Sequence, residues 1–248
     1  MVAGVQPKRF EMIPKTIWSV WFQGWERAPP LVRACRASWE RLNSGWEHRF
    51  LTDESVLPDG RSVADLFPQI ISPAARSDAV RLELLGQHGG VWVDATTYCL
   101  RPLDLWLPGG AFFAFERPGP GRLLSTWCLA TEPGGTIIEA WRDAMRQHVA
   151  GRTSFVDYFW VHHLFGDLCR RDPRVKSAWD AAPKVSADGP HCFVPYEKHL
   201  RGPVDDWTRS VVEQPRRGLL KLTRHVDETG PETNSVARWL CEREGIDA

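Results

Sequence analysis

Apolar positions along this chain fall into two rhythms. The first is short and dense: Ile17-Trp18-Ser19-Val20-Trp21-Phe22 is a β-branched and aromatic run that stops at Gly24 and predicts an opening strand. The second has helical spacing. Leu31, Ala34, Cys35, Ser38, Trp39 and Leu42 recur behind Pro29-Pro30 until Asn43-Ser44-Gly45 interrupts them, which predicts a helix. Trp46, His48 and Phe50 then alternate, predicting a second strand through Leu51, and Thr52-Asp53-Glu54 reads as another helix start. Strand, helix and strand of this length open a mixed α/β sheet.

The pattern continues with a short helix over Ser62–Phe67 and a longer one that Ser72 caps and Pro73 begins. This helix runs to His88 with Gly86 inside it, and Gly89-Gly90 closes it. Val91-Trp92-Val93 is a short buried strand that delivers Asp94 to its end. The carboxyl end of a strand is where open α/β sheets bind ligands, so Asp94 is a site candidate on geometry alone. On the preceding helix Asp78 and Arg81 stand one turn apart beside Ser77. Taken alone they are an intrahelical ion pair worth a few tenths of a kcal/mol.

Beyond Asp94, Arg101-Pro102-Leu103-Asp104 turns the chain toward Gly109-Gly110, and strands are predicted at Ala111–Phe115 and Leu123–Thr131. Helical spacing returns at Ile137–Val149 and again at Val156–Phe165. Residues 180–207, rich in Pro, Gly and charge, read as loops with little regular structure. Leu219–Thr223 predicts a final strand, and Thr233-Asn234 caps a terminal helix that turns Val236, Ala237, Trp239 and Leu240 inward.

Composition narrows the chemistry. The 31 basic and 31 acidic residues cancel, so nothing in the bulk charge calls for nucleic acid or an anionic membrane, and an anionic ligand must meet a local cluster. Six cysteines without CxxC spacing predict reduced, buried thiols rather than a zinc or redox motif. No apolar window approaches the roughly 20 residues of a spanning helix, and the first residues lack a signal-like apolar core, so a soluble cytoplasmic protein is expected. Thirteen Trp residues are enough both to fill a core and to offer a stacking surface for a base or sugar. The serine-hydrolase elbow, the P-loop and the dinucleotide turn are absent, and adjacent His162-His163 lack the spacing of a helical metal pair.

Three stretches, IPKTIW followed by WFQG, SDAVRLELLGQHGGVWVDATTY and LRPLD, resemble in order and spacing the bacterial capsular polysaccharide synthesis proteins. These are similar to glycosyltransferase family 32 and, more distantly, to the glucosylating domains of large clostridial toxins. STWCLA, DYFWVHHLF and LKLT also fit, so the resemblance covers roughly residues 12–225. It implies a GT-A fold: one Rossmann-like α/β domain over residues 1–248, with a mixed central sheet flanked by helices. The donor-binding core is expected at about 12–131 and the acceptor-side helices and C-terminal segment at about 132–248. The implied activity is transfer of a sugar, with retention, from a nucleotide diphosphate sugar to a glycan or small-molecule hydroxyl, including that of a natural product such as an antibiotic.

The resemblance also implies residue roles. Trp21 is similar to the family's base-stacking Trp; Ser77, Asp78, Arg81 and Trp92 belong with the donor-binding helix and strand, Arg81 contacting the donor and Asp78 holding hydroxyls. Asp94 answers to the first carboxylate of the family's Asp-x-Asp, which binds Mg²⁺ or Mn²⁺. Here the triplet is Asp94-Ala95-Thr96, so a neutral hydroxyl replaces the second carboxylate, and cation affinity should fall unless another group steps in. Lys221, Arg224 and His225 are the candidates for neutralising the diphosphate, with Asp94, Arg81 and His225 as the catalytic set. Glu116, Asp157, Tyr158 and His162 are candidates for the acceptor side. The alternative is a weakly catalytic carbohydrate- or nucleotide-sugar-binding protein. A nucleotidyltransferase is disfavoured by the missing glycine-rich phosphate loop.

Overall fold

The computed structural model describes residues 13–225 and 234–247. They form a mixed α/β fold whose chain divides into two compact units. One comprises Gln69–Trp92 and Pro108–Val185 with the segment ending at Thr16; the other comprises Ile17–Pro68, Val93–Leu107 and the segment from Ser186 onward. Among the described residues no helix is long and apolar enough to cross a membrane.

The second unit holds β1 (Thr16–Val20), α1 (Pro30–Leu42) and β2 (Glu47–Leu51), the predicted opening, with β2 beside β1. No helix begins at Thr52. Instead the Thr52 amide donates to Ser55 Oγ at 2.9 Å and the Glu54 amide to Thr52 Oγ1 at 3.2 Å, so side-chain oxygens that suit a helix cap close a turn. A three-residue 3₁₀ turn, Val63–Asp65, stands in place of the short helix expected over Ser62–Phe67.

The first unit carries α2 (Pro73–His88) and β3 (Gly90–Val93), as the cap and glycine signals predict; Ser72 Oγ accepts from the Ala75 amide at 3.4 Å. Gly89 adopts φ 64°, and a Cβ there would lie 2.7 Å from the Pro133 nitrogen and 2.9 Å from the Thr131 carbonyl oxygen. Both neighbours are backbone atoms that cannot yield, so only glycine fits. The tolerance of Gly86 within α2 has a packing cause: a Cβ would meet Arg142 Cδ at 2.7 Å.

Arg142 belongs to α4 (Thr136–Val149), which follows the antiparallel hairpin of β5 (Phe112–Gly119) and β6 (Arg122–Thr131). The two helices are joined where Arg146 clamps the buried Glu83 with two bonds of 2.9 and 2.7 Å. The helix expected from Val156 begins later, as α5 (Trp160–Arg171), because the Asp157 carboxylate accepts from the Phe159 amide at 2.8 Å and closes a turn ahead of it. Asp172-Pro173 then starts α6 (Pro173–Ala181), repeating the cap-then-proline device of Ser72-Pro73. Trp141, Phe165, Trp179 and Phe112 form a chain of ring contacts, with centroids 4.8, 5.6 and 6.4 Å apart. With β7 (Lys184–Ser186) the strand order in this unit is β3-β6-β5-β7.

Two further strands of the second unit, β4 (Thr97–Cys99) and β8 (Leu219–Lys221), pair antiparallel, with Thr97 opposite Lys221 and Cys99 opposite Leu219. A short helix, α3 (Leu103–Trp106), follows β4. Within residues 180–207 the chain forms one helix of its own, α7 (Tyr196–Arg201), and at their end begins α8 (Asp206–Glu213); these helices bury Leu200, Val211 and Val212 against α1, β4 and β8. The last helix is α9 (Val236–Arg243), capped by Ser235, whose hydroxyl accepts from the Arg238 amide; Thr233 lies outside the described residues. All six cysteines are free thiols, and five are buried.

Gly89→Ala should lower unfolding stability by about 1–3 kcal/mol, the cost of forcing a side chain into a left-handed, backbone-crowded position; a denaturant titration measures it. His148, stacked on Trp160 with centroids 5.3 Å apart, has its pKa lowered by burial and then by the Arg152 charge. A depressed histidine contributes stability that is complete above its ordinary value of 6.5 and is lost as pH falls below it. Thermal melts between neutral pH and mild acid should therefore show a smaller acid-side loss for His148→Phe than for the wild type.

Candidate active site

The architecture of β4 accounts for the placement of Asp94, Ala95 and Thr96. Side chains of α1 and of its C-cap hold β4 and the start of α3: Trp39 Nε1 donates to the Thr97 carbonyl at 2.8 Å, Ser38 Oγ accepts from the Cys99 amide at 2.8 Å, and Asn43 Oδ1 accepts from the Leu103 amide at 2.7 Å. All three side chains are buried. The Thr97 amide and hydroxyl both donate to the Asp94 carbonyl, at 2.9 and 2.7 Å, so the loop ahead of β4 is a closed turn.

On the other edge β8 brings Lys221 to this turn. The Leu222 amide donates to the Thr96 carbonyl at 2.8 Å, and the Lys221 ammonium donates to the Thr96 hydroxyl while lying 3.5 Å from Asp94 Oδ2. Ala95 and Trp21 pack against the same small cluster of Trp25, Ala28 and Val32. Trp21 is half-buried just beyond β1, its amide donating to the Leu51 carbonyl at 2.9 Å. Trp21, Asp94, Ala95, Thr96 and Lys221, distant in sequence, thus belong to one region of the second unit.

Arg224 and His225 lie in the exposed turn that follows, where the His225 amide donates to Thr223 Oγ1 at 3.2 Å. Of the three basic residues singled out from sequence, Lys221 is the one whose bonds to Asp94 and Thr96 the structure describes.

In the first unit α2 places Asp78 Oδ1 3.0 Å from Arg81 Nη1, and Arg81 Nη2 donates to Ser77 Oγ at 3.4 Å. The Arg81 guanidinium sits over the Trp92 ring, 5.2 Å from its centroid. Arg81 is only 3% exposed. This is therefore not the solvated surface pair that helical spacing alone suggests, but a buried charge whose helix neighbours and strand neighbour were all among the expected donor residues. The side chain of Asp78 remains 14% exposed, so the carboxylate is the member of the pair nearer solvent.

The acceptor candidates separate. Glu116 pairs with the exposed Arg117 at 2.8 Å, and Tyr158 is 74% exposed with its edge toward Phe159. Burial raises the Asp157 carboxyl, but the His163 bond at 2.6 Å and the Phe159 amide outweigh it and hold its pKa below the usual value. His162 is buried, with Nε2 3.4 Å from Thr126 Oγ1. The adjacent histidines thus divide between interior and surface. This is the division expected of adjacent residues on a helix, and His163, considered from sequence only as half of a metal pair, was not among the acceptor candidates.

A family model described as capsular polysaccharide synthesis protein matches residues 4–238. The chain belongs to that family. Its curated relatives include an O-glycosyltransferase, PaGT, of Phomopsis amygdali, 27% identical over 180 residues that make up 62% of this chain and 43% of the relative. A second, the O-glycosyltransferase braB of Annulohypoxylon truncatum, is 26% identical over 178 residues, 62% of this chain and 42% of that one. The chain therefore spans less than half the length of these relatives. The apo-form glycosyltransferase GlyE of Streptococcus pneumoniae is 11% identical with a TM-score of 0.53, over 95% of this chain and 61% of GlyE, and supports the GT-A fold.

The resemblance implies a divalent cation beside Asp94, but the atoms around that carboxylate do not fit one. An ammonium already faces it, the expected second carboxylate is a hydroxyl bonded to the same ammonium, and among the described residues no group of three or more His, Cys, Asp or Glu could hold a metal.

Asp78→Ala should destabilise the fold by about 3 kcal/mol, because it strips a carboxylate from a buried guanidinium. Equilibrium unfolding in urea would read this, and a loss of only a few tenths would mean the pair behaves as a surface pair.

Proposed function

We propose that this chain is a retaining glycosyltransferase that moves a sugar from a nucleotide diphosphate sugar to a hydroxyl of a glycan or small molecule. The observation that supports this reading most is the convergence of Trp21, Asp94, Thr96 and Lys221 in one unit, at a turn held between α1 and β8. A donor of this class needs a flat apolar face for its base, oxygens for its hydroxyls and a positive charge for its phosphates. Trp21 offers the face, Asp94 and Thr96 the oxygens, and Lys221 the charge. Two of the curated relatives are named O-glycosyltransferases, which favours a hydroxyl oxygen as the acceptor.

In the reaction the bond between the anomeric carbon and the diphosphate oxygen breaks, and its electron pair leaves with the diphosphate. The acceptor oxygen attacks from the same face, and its proton passes to a departing phosphate oxygen. Nothing in this scheme demands a protein nucleophile; catalysis rests on placement and on stabilising the charge of the leaving group. Lys221 meets that charge. Asp94 holds the ammonium in position. Arg81 is a positioning residue, since its burial points its charge at Asp78 and Trp92.

Incubating the protein with a panel of nucleotide diphosphate sugars and hydroxyl acceptors should release free nucleotide diphosphate with at least one donor. Asp94→Ala should lower kcat by about 10²–10³, the size of effect seen when one preorganised electrostatic contact is removed. Trp21→Ala should raise KM roughly tenfold, because losing a base stack costs about 1–3 kcal/mol. Sugar-nucleotide binding without release for any donor and acceptor would instead support a binding protein.

A further inference from the structure

The strand pairing that places Lys221 opposite Thr97 also determines what can stand beside Asp94. Register and the Leu222–Thr96 backbone bond bring the lysine stem alongside the turn, and the ammonium reaches both the Asp94 carboxylate, at 3.5 Å, and the Thr96 hydroxyl. Lys221 and Asp94 are each partly screened from solvent, with side chains 17% and 24% exposed. We infer that the Lys221 ammonium, seated on Asp94 and Thr96, takes the place of a divalent cation, so that this chain binds no Mg²⁺ or Mn²⁺ at Asp94 and meets its anionic ligand with a side-chain charge.

The charge balance is consistent. Two carboxylates and a divalent ion sum to zero before an anionic donor arrives; one carboxylate and one ammonium also sum to zero. Thr96 belongs to the same exchange. A carboxylate there would add a second negative charge beside the Lys221 ammonium, whereas a hydroxyl accepts the ammonium's hydrogen bond without adding charge. A lysine ammonium is a compact point charge with three donors, which suits it to phosphate oxygens as well as to the two oxygens that already hold it. A hard divalent ion at Asp94 would have to displace that ammonium and would find one carboxylate where the family motif supplies two.

The inference rests on the proposed transferase reading only for its catalytic meaning; cation binding can be measured without turnover. Mn²⁺ added to the purified full chain and followed by electron paramagnetic resonance should remain free until about millimolar concentration, in the range of weak, carboxylate-poor sites. Thr96→Asp combined with Lys221→Met should create a site that binds Mn²⁺ at least about tenfold more tightly, as a second carboxylate is added and the competing charge removed. One tightly bound Mn²⁺ per wild-type chain that disappears in Asp94→Asn would overturn the inference. Bound Mn²⁺ that survives Asp94→Asn lies elsewhere and supports it. A double variant that keeps its far-ultraviolet circular dichroism yet gains no affinity counts against it, and if that variant fails to fold the wild-type and Asp94→Asn titrations still decide. In the activity assay, release of nucleotide diphosphate should persist in EDTA; loss in EDTA with recovery on adding Mn²⁺, together with loss of that bound Mn²⁺ in Asp94→Asn, would also overturn the inference. Absence of turnover under every condition would sink the transferase reading and leave the Mn²⁺ result standing.

Discussion

The second unit depends on how α1 grips β4. Ser38 and Trp39 near the end of α1, and Asn43 at its C-cap, satisfy backbone groups of Cys99, Thr97 and Leu103. All are buried, where an unmet polar group would cost about 1–3 kcal/mol, so the three bonds strongly favour this placement of the strand over alternatives. A three-residue strand has little pairing of its own. With β4 held, β8 has an edge to pair with, and Lys221 is carried to Thr96 and Asp94.

A second buried polar group secures the same strand from its other neighbours. Tyr98 donates its phenolic proton to Glu244 Oε1 at 2.5 Å, and Arg41 of α1 donates twice to the same carboxylate, at 2.9 and 2.7 Å. Burial, followed by the Glu244 bond and charge, raises the Tyr98 pKa, so the phenol stays protonated and keeps donating across physiological pH. Glu244 follows the end of α9, so this triad ties the terminal helix to α1 and β4. Hydrophobic packing of Leu31, Tyr98, Leu220, Val236 and Leu240 supplies the bulk of the attraction there, while the polar contacts select the register.

The first unit solves a comparable problem with opposite charges rather than hydroxyl and amide groups. Glu83 on α2 is buried and held by two bonds from Arg146 on α4; Arg81, two residues earlier, is buried and held by Asp78 with Trp92 beneath it. One helix thus carries two buried charges of opposite sign, each compensated by a different partner. Such pairs contribute less to net stability than their gross attraction suggests, because both members are desolvated. What they specify is orientation: the rotation of α2 about its axis and the direction in which Asp78 points.

Most elements could be read from local chemistry. Cap-then-proline at Ser72-Pro73 and the glycine pair at 89 and 90 bound α2 and β3 within a residue, and the motifs around Asp94 mark the family. Local signals failed where tertiary contacts override them. Thr52 and Ser55 can cap a helix or close a turn with the same oxygens; β4 is too short to show a period; and α7 lies in a Pro- and Gly-rich stretch where a helix gains stability mainly from burial. The candidate site divides in the same way. Residue identity alone determined that Thr96 offers a hydroxyl where a carboxylate was expected and that Lys221 is a basic residue near the chain's end. Only the tertiary structure decided that the lysine lies on that hydroxyl and on Asp94, because residues 125 apart in sequence are joined by a strand register, and no local pattern encodes a register between strands so distant.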